Sequence, residues 1–218
     1  DEIRFQQELA QRLRAVIRGH AGAGKSLFLK RHFLRTLHSK NSIPIFFELR
    51  SLNSNFSGLF AGLYDYAHKL MPWLEIEIFK SLLKQGKIEL YLDALDEVSY
   101  NIRSTVNSNI TEIIHQYPKT TVILTTRYGD RYVTPAFIKE YHVKPFSLQQ
   151  AVDLVNALNF DEEPKLRFAQ ALREGLFDKN SGLLSNPLLC SIMLLTYRRF
   201  ATIPDRLHLY YQQAYEVL

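Results

Sequence analysis

The chain has 218 residues, 46% of them apolar and 22% charged, enough for one large α/β domain or a domain with a small helical appendage. Its single cysteine, Cys190, excludes an internal disulfide framework and fits a reducing, cytoplasmic setting. The longest uncharged apolar run, residues 188–195, is too short to span a bilayer, so no membrane partner is expected. The net charge of +5 comes from 27 basic and 22 acidic residues scattered along the chain; nucleic acid is therefore not expected as the main partner.

In chain order, residues 3–13 carry the apolar spacing of a helix, and residues 14–18 form a short buried strand that runs into glycine. Residues 25–38 are helical, with Leu27, Leu29, Phe33, Leu34 and Leu37 expected on or near one face. Residues 43–49 form a second strand, whose early Pro44 points to a sheet edge or a strand start. A polar loop over 51–57 precedes helices at 58–70 and 74–85, the latter closed by Gly86 as a C-cap. Strands follow at 88–93, 121–126 and 141–144, with a helix at 103–116 between the first two. From Ser147 onward the pattern is helical to the end. Strands alternating with helices imply a parallel sheet covered on both faces. The expected fold is an α/β P-loop NTPase core of about five strands over residues 1–146, followed by a small helical lid subdomain over 147–218. The chain starts without Met and stops inside a helical pattern, so it is expected to be a piece of a longer protein.

The segment Gly19-His20-Ala21-Gly22-Ala23-Gly24-Lys25-Ser26 matches G-x-x-x-x-G-K-[ST] in full. Chance produces this pattern in about two per thousand chains of such composition, and here it also sits between a strand and a helix, as the motif requires. The glycines allow left-handed turns that aim backbone N–H groups at phosphate oxygens, and the helix that follows adds its positive end. Lys25 is placed to reach the β- and γ-phosphates, and Ser26 to bind Mg2+. The ligand implied is ATP or ADP with Mg2+, with Leu27 at the start of the helix included in the contact set. His20 occupies a variable position and reads as a spacer.

The strand at 88–93 is apolar and ends in three carboxylates, Asp93, Asp96 and Glu97. Ligands gather at the carboxyl ends of parallel strands. Asp93 is thus expected to hold Mg2+, and Asp96 or Glu97 to orient or deprotonate an attacking water. The strand "VILTTR" ends on Arg127, which either contacts a γ-phosphate or is a surface arginine paired with Asp130 or Glu140. The remaining histidines show no metal-ligand spacing, and Tyr210, Tyr211 and Tyr215 read as core or domain interface.

Together these segments resemble the NACHT subgroup of the STAND signalling ATPases, relatives of AAA-type P-loop proteins. The resemblance rests on "LYLDALDEV", on "VILTTR", and on the helical stretch "GLLSNPLLCSIMLL" with the following "IPDRLHLYYQQAYEVL". It implies that Lys25, Asp96, Glu97 and Arg127 are catalytic, the last by sensing the γ-phosphate, and that Pro187 packs near the adenine. It also implies a slow, regulatory ATPase of a signalling or defence protein, closed with ADP and self-oligomerising with ATP. Effector and sensor domains, and a winged-helix domain whose histidine touches ADP, are expected outside these residues. The alternative on the same core is an AAA-type ATPase acting on nucleic acid, as a loader or remodeller. A GTPase falls behind both, because no Asn-Lys-x-Asp motif is present.

Overall fold

The computed structural model describes residues 13–39 and 41–200, and the side chains of these up to residue 197. The helix expected at 3–13 lies outside the described residues except for Leu13, as do Tyr210, Tyr211 and Tyr215. Two compact units are distinguished, one of residues 13–20 with 25–143, the other of residues 21–24 with 144–200.

In the first unit, β1 (Arg14–Gly19), β2 (Ile43–Glu48), β3 (Ile88–Asp93), β4 (Thr121–Arg127) and β5 (Lys139–His142) form one sheet in the order β2-β3-β4-β1-β5. Every pairing is parallel. Side chains of a strand alternate between faces, and the core divides accordingly. Ile88, Leu90 and Leu92 of β3 join Val16, Val122 and Leu124 on one side. There they meet α2 (Leu59–Leu70), α3 (Ile76–Gln85) and α4 (Tyr100–Gln116) through residues such as Leu63, Phe79 and Ile110. Tyr91 joins Ala15, Ile17 and Ile123 on the opposite side, against Leu29 of α1 (Lys25–Ser39). Pro44 lies on β2, which among the described residues pairs only with β3, so the proline stands on an edge strand there.

The structure departs from the sequence expectations in several places. Of the five apolar residues placed on one face of α1, Leu29 is fully buried and Phe33 packs beside it, while Leu27, Leu34 and Leu37 are 73%, 49% and 50% exposed. Positions 27, 34 and 37 follow helical spacing of their own, so the helix carries a second, outward-facing apolar stripe. The fifth strand begins two residues earlier than expected, at Lys139, because Ala15 to Arg18 of β1 pair with 139–142. Its side chains are exposed or half-buried and carry no apolar alternation. The loop at 51–57 opens as a turn of 3-10 helix, Leu49–Asn53, with Leu52 buried. Helix α4 starts three residues ahead of the expected position.

The second unit is built from α5 (Leu148–Ala157), α6 (Glu162–Ala171) and α7 (Pro187–Phe200), with short turns at Leu172–Leu176, Phe177–Lys179 and Ser181–Leu184. Val152, Phe168, Leu172, Leu184, Cys190 and Met193 are among the residues of its core. Ser147 opens α5 with a capping box: the Gln150 N–H donates to its hydroxyl at 3.3 Å, and its own N–H donates to Gln150 Oε1 at 2.9 Å. Burial pushes the Cys190 thiol up to about 11, which makes it an inert core residue.

Helix α3 ends as expected at Gly86, which has φ +68°. The Gly86 N–H donates to Leu83 O at 3.0 Å and the Lys87 N–H to Leu82 O at 2.9 Å, a Schellman pair. A Cβ at Gly86 would lie 2.4 Å from Lys119 O. Gly86→Ala is therefore expected to lower stability by about 1–3 kcal/mol, through left-handed strain and the clash together. Urea unfolding of parent and variant measures this, and an unchanged midpoint would mean that position 86 is not left-handed in solution.

Candidate functional site

Strand β1 ends at Gly19, which is in register with Arg127 at the end of β4. Leu92 of β3 is in register with Leu124, so Asp93 falls level with Thr125, two residues short of Arg127. The start of the phosphate-loop motif, the acidic strand end and the arginine therefore lie together at the carboxyl ends of the interior strands β1, β3 and β4.

Lys25 opens α1, and its ammonium donates to Gly19 O at 2.8 Å and His20 O at 2.9 Å. Burial holds its pKa below the ordinary lysine value; Arg127 acts in the same direction, while Asp96, Asp93 and Glu97 pull against it. Ser26 and Leu27 are exposed, Leu27 strongly so. His20 is exposed, and its ring packs edge-on against Tyr128 at 4.8 Å.

Asp93 is only 5% exposed. The Thr125 hydroxyl donates to its Oδ1 at 2.5 Å and accepts the Ala94 N–H at 2.8 Å. Ala94 sits at φ +59°, the one left-handed non-glycine among the described residues, and turns the chain out of β3. That turn delivers Leu95–Glu97 as 3-10 helix, with Leu95 buried and both acids outside the sheet. Arg103 of α4 braces it by donating to Asp96 O at 2.6 Å and Val98 O at 2.5 Å. Asn53 braces it as well, donating to Glu97 O at 2.9 Å and accepting the Ser99 N–H at 2.8 Å.

Arg127 pairs with neither of the two acids expected as its surface partners. Its Nε lies 2.7 Å from Asp96 Oδ2, and its Nη2 lies 3.8 Å from Glu97 Oε1. Asp130 instead faces Arg103 at 3.7 Å, and Glu140 pairs with Arg18 at 3.0 Å. Arg127 is half-exposed, so this contact adds little to stability.

In the second unit the loop residues Ala21–Gly24 meet the segment around Pro187. Gly22 and Gly24 have φ of +75° and +87°. The Asn186 side-chain amide donates to Ala21 O at 2.7 Å, and the Leu188 N–H donates to Gly22 O at 3.3 Å. Pro187 is the first residue of α7, where its missing N–H costs nothing.

Among the described residues no group of three or more His, Cys, Asp or Glu side chains could hold a metal by itself. Mg2+ needs no such cage, since it takes one or two protein oxygens together with phosphates. Asp93, anchored through one oxygen by Thr125, and the exposed Ser26 hydroxyl are donors of that kind.

A family model described as the NACHT domain matches residues 13–162. The chain belongs to the NACHT family. No curated protein matches it. Among solved structures, a Walker-type ATPase of Pyrococcus abyssi is similar at a TM-score of 0.55 and 15% identity, over 98% of this chain and 70% of that one. A signal transduction ATPase with numerous domains (STAND), with a tetratricopeptide repeat sensor, from Pyrococcus horikoshii has a TM-score of 0.51 and 17% identity. That match covers 99% of the NACHT chain and 32% of the other, so the chain spans about a third of the STAND protein's length. These likenesses establish the P-loop NTPase fold. No helix among the described residues is long and apolar enough to cross a membrane.

The sequence pattern assigns no role to the side chains of Thr125, Arg103, Asn53 and Asn186. Thr125 stands inside the quoted "VILTTR" and Asn186 beside Pro187, yet the groups they join to these segments, on Asp93, Ala94 and Ala21, lie 31 or more residues away. Thr125→Val is expected to cost about 2–4 kcal/mol of stability, because it strips a buried carboxylate and a backbone N–H of one shared partner. Thr125→Ser keeps both bonds and should cost about 1 kcal/mol for the lost methyl. Urea unfolding separates them; equal losses would mean that packing, not hydrogen bonding, holds the residue in place.

Proposed function

We propose that this NACHT chain is the ATP-binding, slowly hydrolysing regulatory module of a STAND-type signalling or defence protein. The observation that carries the reading is that Lys25, Asp93, Asp96, Glu97 and Arg127 come together at the strand ends where the phosphate-loop motif begins. The loop Gly19–Ser26 would cradle the phosphates, with Lys25 leaving its two carbonyl partners for the β- and γ-oxygens. Asp93 and Ser26 would hold Mg2+, which when bound neutralises charge on the phosphate oxygens.

Asp96 and Glu97 are the groups available to orient water and accept its proton. Arg127 holds them in an ion pair in the present arrangement. A γ-phosphate would compete for the same guanidinium, drawing Arg127 off Asp96 and freeing that carboxylate for water. ADP, without the γ-phosphate, would leave the pair closed. On this reading ADP marks the resting state and ATP the state that self-associates, working in the cytoplasm with sensor and effector domains. The helical unit that begins near residue 147 would serve as the lid, with Pro187 near the base.

Lys25→Ala should weaken binding of a fluorescent ATP analogue by about 2–4 kcal/mol, the loss of a charge-assisted contact in a partly dry site. Equal affinities with matching melts would remove Lys25 from the site. Asp96→Asn combined with Glu97→Gln should leave that binding intact and abolish phosphate release; unchanged turnover would place the base elsewhere.

A further inference from the structure

We infer that Asn186 is a positioning residue for the phosphate loop, holding two successive peptide planes of its tip so that their N–H groups are set before a nucleotide arrives. The inference rests on the reading of that loop as a phosphate site. Asn186 stands at the N-terminus of α7, where its Oδ1 accepts the N–H of Leu188 at 3.1 Å and of Leu189 at 3.3 Å. The Cys190 N–H donates to Asn186 O at 2.9 Å, the first bond of the helix. Asn186 is thus its N-cap. Capping occupies the oxygen of the side-chain amide and leaves the nitrogen free to act elsewhere. That nitrogen donates to Ala21 O at 2.7 Å.

A peptide unit is planar and trans, so its C=O and N–H point in opposite directions. Drawing the Ala21 carbonyl toward Asn186 therefore turns the Gly22 N–H away from it. The Leu188 N–H, 3.3 Å from Gly22 O, does the same to the next unit and sets the Ala23 N–H. Two consecutive donors are fixed by one helix start. A loop able to rotate these peptides would lose backbone entropy when phosphate bound, and setting them beforehand removes that loss.

Gly22 fits this account on steric grounds. A Cβ there would lie 2.7 Å from Asn186 Oδ1 and 2.8 Å from Leu188 Cβ, whereas a Cβ at Gly24 would meet nothing within 4 Å. The glycine at position 22 is required by the approach of Asn186 as well as by its own φ of +75°.

Substitutions at 186 separate the two tasks of the side chain. Asn186→Ser keeps a good neutral N-cap but is too short to reach Ala21 O. Asn186→Asp keeps the cap and puts an acceptor against that carbonyl. Asn186→Ala loses both functions. Dissociation of a fluorescent ADP analogue by stopped flow, read beside thermal melting, is the test. The Ser and Asp variants should melt close to the parent and release the analogue about five- to tenfold faster, the loss of one hydrogen bond; the Ala variant should show the faster release and a lower melting point. Parental release rates in the Ser and Asp variants would overturn the inference and leave the nucleotide reading standing. Faster release confined to variants that also melt early would overturn it too, making Asn186 a stability residue alone. A parent that does not bind the analogue at all would overturn the reading and the inference together.

Discussion

A carboxylate taken out of water loses several kcal/mol of hydration unless hydrogen bonds replace it, and a strand buried on both faces offers few places where that can happen. Strand β3 has two acids and meets the constraint at each. Glu89, near its start, accepts hydroxyls from Ser42 at 2.6 Å, Tyr91 at 2.9 Å and Thr36 at 3.2 Å. Asp93, at its end, accepts Thr125. The rest of the site depends on that second bond. The hydroxyl that satisfies Asp93 also takes the N–H of Ala94, and so holds the left-handed residue that turns the chain outward. Only because the chain turns there do Asp96 and Glu97 leave the apolar layer, while Leu95 stays in it.

The partners of Lys25 and Arg127 differ in kind, and the difference bears on function. Arg127 is matched by carboxylates. Lys25 is matched by the carbonyls of Gly19 and His20, which are dipoles and not charges. A bond from an ammonium to a carbonyl is charge-assisted on the donor side alone, whereas one to a phosphate adds the attraction between two full charges. A phosphate can therefore replace the lysine's partners at a gain, while for Arg127 it exchanges one anion for another. The first exchange favours binding, and the second makes the arginine responsive to how many phosphates are present.

Much of this was legible in the sequence because it is local. The glycine spacing from Gly19 to Gly24, the apolar run into Asp93 and the Ser147–Gln150 helix start each lie within a few residues. What escaped was non-local or lacked an apolar signal. Strand β5 is a four-residue edge whose side chains are mostly in water, so no alternation marks it. The stripe Leu27, Leu34 and Leu37 has helical spacing but faces outward, because Leu29 and Phe33 already fill the space against Tyr91 and Ile17. The pairing of Arg127 with Asp96, and not with Asp130, depends on where Ala94 turns the chain. Arg103, one turn into α4, has already taken the position beside Asp130.

Thr125 and Asn186 share a property that explains both their use and their invisibility. Each is a small side chain with a donor and an acceptor close together, so one residue can satisfy two segments at once. Thr125 joins the carboxylate of Asp93 to the backbone of Ala94; Asn186 joins the start of α7 to the carbonyl of Ala21. A longer side chain could reach the same groups, but it would carry more rotamer entropy and hold them less firmly. Nor would a purely apolar residue serve, since each site contains a buried or capped polar group that must be paired. Small bifunctional side chains are common in any sequence, so their chemistry alone does not single them out. What sets them apart is that both of their bonds land on groups belonging to the phosphate loop, to the acidic turn or to the helix start beside them.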